Sequence, residues 1–406
     1  MRVLFINRFF FPDHSATSQL LTDVTFHLAQ AGYAITVVTS RQTYDDPLTN
    51  YPARANEHGV RIVRVWSTRF GRRRLLGRSI DYATFYVSAL WSLFALTRKD
   101  DVIVAKTDPP LISVLAALVT RVRGALLVNW IQDLFPEVIS NLVDGQLGRL
   151  SRSLRSLRNW SLLSAKWNVV IGKQMQLRLE KEGVPAKRIT VIPNWADGQA
   201  IRPIDREHNE LRREWKLQQH FVVGYSGNFG RAHDFQTILD TVQLLRNESH
   251  IVFVFIGGGA QHEWLRGALV QKGLTNVVFK PYQPRERLHL SLCVPDLHLI
   301  SLQPSLEGLI VPSKFYGIAA AGRPTLYVGD TEGEVPTLLR DSNCGFTVSL
   351  GQAEMAADII RSLASDMIRC AHYGQNARDL FDAQFDKTRA ERAWRLILNN
   401  CADHRA

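Results

Sequence analysis

Residues that could bind an anion follow an apolar run in the second half of the chain. Residues 297–302 are typical of a buried parallel strand, and a helix rich in small residues is predicted to start near Pro312. Proline fits the first turn of a helix because its missing N–H would have no partner there. Ser313 and Lys314 then lie where free N–H groups and the helix dipole favour an anion. The pattern predicts a phosphate site; the alternative is a helix that merely packs on a sheet.

Glycine-rich turns after two further predicted strands could complete such a site. Residues 224–231 end in Arg231, and Gly257-Gly258-Gly259 form the second turn. Small residues let backbone N–H groups approach a phosphate, and an arginine can bind it through two hydrogen bonds. Neither turn has the Gly-x-Gly-x-x-Gly dinucleotide fingerprint, and no Walker lysine motif occurs, which argues against NAD enzymes and P-loop ATPases. Each glycine-rich sequence on its own is typical of an ordinary turn. Both turns and Lys314 are expected at the same edge of the sheet, however, and this predicts a binding site.

Acidic residues follow a predicted strand in the first half of the chain. Residues 125–130 are largely apolar, and Asp133 and Glu137 follow three and seven residues later. Ligands of open parallel sheets bind beyond the carboxyl ends of the strands. Both carboxylates are therefore candidates for chemistry, although Asp133 could instead cap the next helix.

These candidate residues follow predicted strands, and strands and helices alternate through both halves of the chain. That order predicts an α/β protein with two doubly wound, Rossmann-like domains facing across a cleft. A polar linker is predicted at residues 196–210. The predicted strands are residues 3–6, 35–39, 60–66, 102–105, 125–130, 167–171 and 189–195 in the first half, and 221–225, 251–256, 277–280, 297–302, 325–328 and 346–349 in the second.

Charge is distributed unevenly between the halves. Residues 1–195 contain 26 Lys and Arg against 14 Asp and Glu, a balance of +12, while the whole chain carries +11. The first half should therefore meet an anionic partner, such as nucleic acid, an anionic membrane surface or a phosphorylated lipid. The four cysteines lack metal-type spacing, and a strand beginning at Arg2 leaves no room for a secretory leader. We therefore expect reduced thiols and a cytoplasmic protein.

A basic stretch precedes an apolar one in this half. Residues 69–78 include Arg72, Arg73, Arg74 and Arg78, and residues 82–96 are apolar and aromatic. This apolar run is shorter than the roughly 20 residues that cross a bilayer. It could be an interfacial helix on anionic headgroups or a helix that covers the sheet after a solvated loop. We favour a core helix whose basic preceding loop, with these four arginines, faces the membrane.

Five short stretches carry a family resemblance that spans nearly the whole chain. They are Gln132-Asp133-Leu134-Phe135-Pro136-Glu137, Ile192-Pro193-Asn194-Trp195-Ala196-Asp197, Tyr225-Ser226-Gly227-Asn228-Phe229-Gly230-Arg231-Ala232-His233-Asp234, Pro281-Tyr282-Gln283-Pro284 and Val311-Pro312-Ser313-Lys314-Phe315-Tyr316-Gly317. Together they resemble the retaining GT-B glycosyltransferases of family four, which use sugar nucleotides to build bacterial surface polysaccharides. The chain is similar in particular to O-antigen and exopolysaccharide enzymes of the fucosamine and colanic acid type.

The resemblance implies an acceptor-binding domain at residues 1–200, joined by a crossing helix at about 387–406, and a nucleotide-sugar-binding domain at 201–386. It also implies metal-independent transfer with retained anomeric configuration and no cofactor. The chain contains no Asp-x-Asp pair, in agreement with that expectation. The implied catalytic residues are Asp133, Arg231 and Lys314, the donor-binding residues Gly227, Asn228, Arg231, Gly258, Tyr282, Glu307, Ser313 and Lys314, and the acceptor-binding residues Arg8, His14 and Glu137.

The chain departs from the family pattern at two places. Gly317 stands where the family carries a ribose-binding glutamate, and Glu307 lies two residues from the position of the first glutamate of that motif. In many relatives a histidine lies near the strand end where this chain has residues 129–133. Its absence shifts the role of base or orienter to Asp133.

We therefore expect an enzyme on the inner face of the cytoplasmic membrane that transfers sugar from a UDP-sugar, or second a GDP-sugar, to a lipid-linked or oligosaccharide acceptor. One alternative is a two-lobed sugar-nucleotide epimerase, which has similar phosphate turns. The other is a basic, non-enzymatic protein that binds nucleic acid or other anions. The arginines of the first half are not interleaved with aromatic residues on strands, and no zinc or helix-turn-helix signature occurs. We therefore expect no nucleic-acid partner.

Overall fold

The chain divides into two compact α/β units. The computed structural model describes residues 1–44, 46, 48–70, 75–142 and 148–403. Unit 1 comprises Met1–Pro193 and the chain from Thr388 onward, and unit 2 comprises Asn194–Lys387. Each unit is built on its own sheet.

An eight-stranded sheet forms the centre of unit 1 among the described residues. The strands are β1 (Arg2–Ile6), β2 (Ala34–Ser40), β3 (Arg54–Glu57), β4 (Val60–Val65), β5 (Val102–Lys106), β6 (Leu126–Ile131), β7 (Trp167–Val170) and β8 (Ile189–Val191). Their order is β3-β4-β2-β1-β5-β6-β7-β8. All neighbours pair in parallel except β3, which runs antiparallel to β4 at the edge. The carboxyl ends of β5 and β6 therefore lie side by side.

Helices cover this sheet and close its core. They are α1 (Ala16–Gln30), α2 (Leu75–Leu96), α3 (Ile112–Arg123), α4 (Glu137–Leu142), α5 (Gly148–Ser164) and α6 (Lys173–Lys181), with a 3-10 turn at Ala186–Arg188. On one face, Phe85 and Leu93 of α2 and Val119 of α3 pack with Leu4 and Ile103 of the strands. Helix α3 packs between α2 and α5. No helix in the described ranges is both long and apolar enough to cross a membrane.

Unit 2 has a second, wholly parallel sheet within the described residues. Its strands are β9 (Phe221–Asn228), β10 (Ile251–Gly258), β11 (Val277–Lys280), β12 (Leu297–Ser301), β13 (Thr325–Val328) and β14 (Gly345–Val348). The order is β11-β10-β9-β12-β13-β14. Strand β9 is central and pairs with β10 and β12. The reversal of strand order beside β9 is the kind of switch point at which α/β sheets bind ligands.

The helices of unit 2 surround this sheet. They are α7 (Glu210–Glu214), α8 (Gln236–Leu244), α9 (His262–Gln271), α10 (Leu288–Leu292), α11 (Lys314–Ala320), α12 (Glu334–Asp341), α13 (Ala353–Ser365) and α14 (Met367–Leu380), with 3-10 turns at Arg285–Arg287 and Pro304–Leu306 and a π-helical turn at Phe381–Phe385. The core is rich in aromatic rings: Tyr225, Phe229, Phe235 and Phe255 belong to one buried cluster.

The last helix, α15 (Lys387–Asp403), returns the chain to unit 1. Its Trp394 is fully buried. The Trp394 ring lies 4.5 Å from the Trp130 ring and 6.4 Å from the Phe5 ring, measured between centroids. Burial of this indole attaches the end of the chain to strands β1 and β6, because fully burying large apolar side chains stabilises the folded state by kilocalories.

The predicted fold class, α/β with doubly wound parallel sheets, is confirmed. Strand β3 was not predicted because Arg54–Glu57 is polar and reads as loop. Helix α2 begins at Leu75 and not at residue 82. Strands β9 and β10 continue to Asn228 and Gly258, so the predicted glycine-rich turns include the ends of the strands themselves.

A buried ion pair fixes the start of unit 2. The Arg212 guanidinium on α7 donates to both carboxylate oxygens of Asp296, each at 2.8 Å, and to the carbonyls of Leu217, Val294 and His220. Asp296 also accepts from the Val222 N–H on β9. Arg212 is fully buried, so each charge depends on the other for compensation.

Removal of one partner should therefore destabilise unit 2. Arg212→Ala leaves the Asp296 carboxylate buried without its counter-ion, a change that costs about 3 to 5 kcal/mol. Urea unfolding followed by circular dichroism should show an earlier transition. The control is Arg213→Ala, because Arg213 is exposed on the same helix and should change stability by less than about 0.5 kcal/mol. Equal midpoints for both variants would contradict the assignment.

Candidate functional site

Lys314 opens α11 and lies at the end of β9. Its Nζ donates to the Tyr225 hydroxyl at 2.5 Å and lies 3.8 Å from the centroid of that ring. A Cβ at Gly227 would lie 3.5 Å from Lys314 Cε, so the lysine passes directly over this glycine. Lys314 has no carboxylate partner in the described part of the chain. Its charge is therefore available to an anion.

The surroundings of Lys314 destabilise its charged form. Desolvation lowers the pKa of Lys314 to about 7. The Tyr225 hydroxyl donates to the Asn228 carbonyl at 2.9 Å, which leaves its oxygen free to accept from the lysine. Burial raises the pKa of Tyr225, so the phenol stays protonated and cannot act as a counter-ion. A bound phosphate would supply the missing negative charge and favour the ammonium form.

Glycines allow the ends of β9 and β10 to approach each other. Gly257 pairs with Gly227 in the sheet, and a Cβ on Gly257 would lie 2.2 Å from the Gly227 carbonyl oxygen. Both residues have positive φ, +124° at Gly227 and +129° at Gly257. Any other residue would be strained at either angle, and at Gly257 it would also collide with backbone. The result is bare backbone beside the Lys314 ammonium.

The loop that follows β9 is fixed by hydrogen bonds to its backbone. Gln261 Nε2 donates to the carbonyls of Gly230 at 2.7 Å and His233 at 3.0 Å, and the Gln303 N–H donates to the Ala232 carbonyl at 2.8 Å. His233 Nδ1 lies 2.5 Å from the Ser301 carbonyl, which assigns the proton to Nδ1. Burial, then the positive charge of Lys314, lower the pKa of His233 to about 3. The imidazole is neutral at physiological pH.

Arg231 lies on this loop with an exposed side chain. It makes no hydrogen bond or ion pair within the described residues. Of the two predicted phosphate ligands, Lys314 is thus held in place by contacts within the protein, whereas Arg231 projects from a fixed backbone into solvent. The Arg231 side chain must change its rotamer to contact an anion bound at Lys314.

The other predicted donor residues lie around the same strand ends. The Tyr282 hydroxyl donates to the Gly258 carbonyl at 3.0 Å, and its ring packs against Gly257 and Gly258. Tyr282 is 59% exposed. Asn228 is exposed and its side chain lies close to the α-carbon of Gly259. The Ser313 hydroxyl, beside Lys314, is exposed and caps no N–H of α11.

Glu307 is bonded within unit 2. Its Oε1 accepts from the Glu334 N–H at the start of α12 at 2.8 Å, and its Oε2 lies 3.3 Å from the Tyr327 hydroxyl. A Cβ on Gly333 would lie 2.4 Å from the carboxylate. Desolvation raises the pKa of Glu307, although these hydrogen bonds oppose the shift. The carboxylate thus interacts with the start of α12, where the helix dipole favours a negative charge.

Asp133 follows β6 in unit 1, where a threonine fixes the backbone. Thr107 Oγ1 donates to the Trp130 carbonyl at 3.1 Å and accepts from the Gln132 N–H at 2.7 Å. Asp133 reaches solvent and also lines a small cavity with Asn129 and Arg158. Desolvation by the packed atoms around it, then the charge of Asp108, raise the pKa of Asp133 to about 6. The group is poised for proton transfer near neutral pH.

A buried lysine lies next to this strand end. Lys106, the last residue of β5, pairs with Trp130 in the sheet, and its Nζ lies 3.6 Å from the centroid of the indole ring. The amine is fully buried and has no hydrogen-bond partner among the described residues. Burial lowers the pKa of Lys106 well below its usual value, against the charges of Asp23, Asp133 and Asp108. The positive charge of Lys106 opposes, but does not cancel, the upward shift of the Asp133 pKa.

The structure corrects the acceptor-binding role predicted for Glu137. Arg158 donates to both of its oxygens, at 3.0 and 3.1 Å, and Arg155 Nε lies 3.0 Å from one of them. Glu137 is 5% exposed. Its carboxylate joins α4 to α5 and has no free oxygen for an acceptor hydroxyl.

The two other predicted acceptor-binding residues, Arg8 and His14, differ in whether an acceptor could reach their side chains. The Arg8 guanidinium is buried over the rings of Phe9 and Tyr82 and lies 3.9 Å from Asp81. It is committed to this network and not exposed to an acceptor. His14 is exposed, so it is open to one.

The arginines predicted to face a membrane fall into two groups. Arg72, Arg73 and Arg74 lie outside the described residues. Arg78 is half-buried, and its Nε donates to the Tyr82 hydroxyl at 3.0 Å. Within the described ranges, no group of three or more His, Cys, Asp and Glu side chains could hold a metal ion.

Sequence reasoning missed three residues of these sites. Tyr225 and His233 belong to a stretch that carries the family resemblance. The sequence therefore indicates that this stretch lies at the site, but it does not indicate that these two side chains surround Lys314. Lys106 had no such signal, because a lysine at the end of an apolar strand reads as a solvated terminus. Its burial is visible only in the folded chain, where its amine lies over the Trp130 ring.

Two family profiles match the chain in the two halves. The Glycosyl transferase 4-like domain matches residues 20–195, and Glycosyl transferases group 1 matches residues 207–380. A probable glycosyltransferase, WbjE of Pseudomonas aeruginosa, is 30% identical over 286 residues, covering 68% of this chain and 70% of that protein. The putative colanic acid biosynthesis glycosyl transferase WcaI of Escherichia coli (strain K12) is 23% identical over 79% of this chain and 82% of that protein.

The fold of the chain also resembles that of solved structures. The structure of Anabaena Alr3699/HepE in complex with UDP and glucose matches with a TM-score of 0.73 and 16% identity, covering 98% of this chain and all of that one. The architecture is thus that of the GT-B glycosyltransferases, as predicted. The chain belongs to glycosyltransferase family four. The prediction that the chain is a glycosyltransferase is confirmed.

Lys314 should titrate near neutral pH because its amine is desolvated against Tyr225. After reductive methylation of the protein with ¹³C-formaldehyde, one dimethyl-lysine NMR signal should titrate with a midpoint of about 7. An unperturbed surface lysine titrates at about 10.4. The signal is assigned by its loss in Lys314→Arg. A Lys314 midpoint above pH 10 would show that the amine is fully solvated and would remove the basis of the site.

Proposed function

We propose that this protein is a retaining glycosyltransferase of surface-polysaccharide synthesis, moving a sugar from a UDP-sugar to a lipid-linked or oligosaccharide acceptor. A GDP-sugar is the second choice of donor. The observation that carries the proposal is the Lys314 ammonium without a carboxylate partner, beside the bare backbone of Gly227. HepE, which shares the fold, was crystallised with UDP and glucose, and WcaI is named for colanic acid biosynthesis; both support the choice of substrates.

The donor is proposed to bind unit 2. Lys314 and the exposed Arg231 contact the diphosphate, while Ser313, Asn228 and the N–H groups near Gly227 donate further hydrogen bonds to it. Tyr282, which is exposed and packs on Gly258, is proposed to contact the base or ribose. Glu307 is proposed to position the start of α12, whose Glu334 N–H donates to its carboxylate. Contact with the donor would add a further hydrogen bond to those that Glu307 accepts from Glu334 and Tyr327.

In the proposed reaction, the bond between the anomeric carbon and the diphosphate oxygen breaks, and the electron pair leaves with the diphosphate. The acceptor oxygen bonds to the anomeric carbon on the same face of the sugar, so the configuration is retained. Lys314 and Arg231 stabilise the charge that develops on the leaving group, which fixed dipoles and charges can do without reorganisation. Asp133 takes or orients the proton of the acceptor hydroxyl.

The acceptor is proposed to bind unit 1, which includes Asp133 and carries the excess positive charge of the chain. His14 is exposed and can donate to an acceptor oxygen. A lipid-linked acceptor would place the enzyme at the inner, anionic face of the cytoplasmic membrane, where positively charged surfaces are attracted. The terminal helix α15 belongs to the same unit.

Loss of the Lys314 charge should slow the transfer step. Lys314→Met keeps an unbranched side chain one atom shorter but leaves the departing diphosphate without its fixed cation, which should lower kcat by about 10²- to 10³-fold. Release of UDP or GDP is measured with a panel of sugar nucleotides and acceptors, and the anomeric configuration of the product is read by proton NMR. The control is Lys272→Met, at an exposed lysine of the same unit. No diphosphate release from any donor, or inversion of the product, would refute the proposal.

Asp133 should control the acid side of the pH–rate profile. Its carboxylate is ionised above its pKa of about 6, so the rate should fall as the pH decreases through 6 and the base becomes protonated. Asp133→Asn should abolish this limb and lower kcat by about 10²- to 10⁴-fold. The control, Glu137→Gln, should chiefly lower stability. An unchanged pH profile in Asp133→Asn would exclude Asp133 as the base.

A further inference from the structure

His233, on the loop after β9, has two ring nitrogens with different roles. Nδ1 lies 2.5 Å from the carbonyl oxygen of Ser301, the last residue of β12. A carbonyl can only accept, so Nδ1 carries the proton. In a neutral imidazole the other nitrogen is then a hydrogen-bond acceptor. The contact with Ser301 thus makes Nε2 of His233 an acceptor and fixes its position.

This acceptor is accessible to a ligand. Nε2 of His233 makes no hydrogen bond within the described part of the chain. His298 on β12 provides a contrast, because its Nε2 lies 2.9 Å from the Leu292 carbonyl and its Nδ1 is enclosed by protein atoms. His233 is only half-buried, and its Nε2 reaches the surface. One imidazole therefore belongs to the core, and the other has an acceptor to offer.

Packing holds the His233 ring in this orientation. The ring lies edge to face with two aromatic side chains, 5.9 Å from Tyr225 and 6.3 Å from Phe235 between ring centroids. The backbone carbonyl of His233 accepts from Gln261 Nε2 at 3.0 Å. A ligand would therefore meet an acceptor that is already oriented, and a few such polar groups give a binding site its specificity.

The surroundings of His233 argue against a phosphate oxygen as the partner of Nε2. Ionised phosphate oxygens are acceptors, so contact with them would require a protonated imidazole. Burial, then the positive charge of Lys314, lower the pKa of His233 to about 3, and the ring stays neutral. Lys314 Nζ lies 3.8 Å from the centroid of the Tyr225 ring, which His233 also contacts. A cation for phosphate thus lies beside an acceptor for a hydroxyl or N–H group.

The order of the strands indicates which part of a sugar nucleotide His233 would meet. Tyr282, proposed to contact the base or ribose, follows β11 and packs on Gly258 at the end of β10. Lys314, the proposed diphosphate ligand, lies at the end of β9. His233 is bonded to the end of β12, and β9 lies between β10 and β12. A nucleotide that follows this order has its transferred sugar on the β12 side, next to His233.

We propose that His233 is a donor-binding residue that determines specificity, and that its Nε2 accepts a hydrogen bond from a hydroxyl of the transferred sugar. The inference rests on the proposed function, because it requires a sugar nucleotide whose diphosphate is bound at Lys314. It adds a condition on the donor, which must carry a free hydroxyl on the side that faces β12. A sugar that is deoxygenated or substituted there leaves Nε2 unpaired and is bound less well.

The test compares nucleoside diphosphates with their sugar derivatives by isothermal titration calorimetry on the full-length protein. The probes are UDP with UDP-glucose, UDP-galactose and UDP-N-acetylglucosamine, and GDP with GDP-mannose. His233→Asn keeps an N–H group where Nδ1 donates to Ser301 and removes the acceptor at Nε2. It should bind the nucleoside diphosphate like wild type and bind the preferred sugar nucleotide about threefold to tenfold more weakly, the effect of one lost hydrogen bond.

A second variant separates this role from a purely structural one. His233→Gln can place its amide oxygen where Nε2 lies but loses the donor to Ser301. It should therefore unfold at a lower temperature than wild type and yet recover most of the affinity for the sugar nucleotide. Monodeoxy analogues of the preferred donor identify the hydroxyl. The analogue that lacks it should bind wild type more weakly than its parent, and His233→Asn should bind the two equally.

The matched control is His250→Asn, the same substitution at an exposed histidine directly before β10, at the opposite end of the sheet from Lys314. It should bind every probe like wild type. Unchanged affinity of His233→Asn for the sugar nucleotides would overturn the inference and leave the proposed function intact. Equal losses for UDP and UDP-sugars would also overturn it, because His233 would then act on the nucleotide or only on the fold. If wild type bound none of the probes, the proposed function would fail and this inference with it.

Discussion

A lysine ammonium held against a tyrosine, with no carboxylate to neutralise it, is the interaction on which the site depends. Burial without a counter-ion disfavours the charged form of Lys314 and lowers its pKa to about 7. The ammonium of Lys314 therefore lacks a counter-ion in the free protein, and a bound diphosphate can supply one. Had Glu or Asp been placed beside Lys314, the charge would be satisfied in the free protein and binding an anion would have to break that pair. The neutral partners Tyr225 and His233 avoid this competition.

The packing of unit 2 maintains this arrangement. Tyr225 contacts Phe229 and Phe235 in the aromatic core, so the hydroxyl that accepts from Lys314 belongs to a side chain that cannot move freely. The 2.2 Å approach that a Cβ on Gly257 would make to the Gly227 carbonyl excludes any larger residue. The site thus rests on strand ends and core rings, which are stiffer than surface loops. Arg231, on a loop, supplies an adaptable charge beside this rigid one.

The sequence predicted the parallel sheets, most strand positions and the location of Lys314, because alternating apolar strands and helix starts have local signals. It did not predict β3, whose pairing depends on β4 and not on its own polar residues. Glu137 was expected near an acceptor, but its role depends on Arg155 and Arg158, which approach it only in the folded chain. Lys106 shows the same limit: periodicity identifies an apolar strand, whereas burial depends on what packs against it.

The most direct test of the account is the structure of the protein with UDP bound. We expect Lys314 Nζ within about 3.2 Å of a diphosphate oxygen, with its hydrogen bond to Tyr225 retained or exchanged for that contact. Arg231 should turn toward the same phosphates. A diphosphate bound away from the ends of β9 and β10, with Lys314 unchanged beside Tyr225, would contradict the central claim.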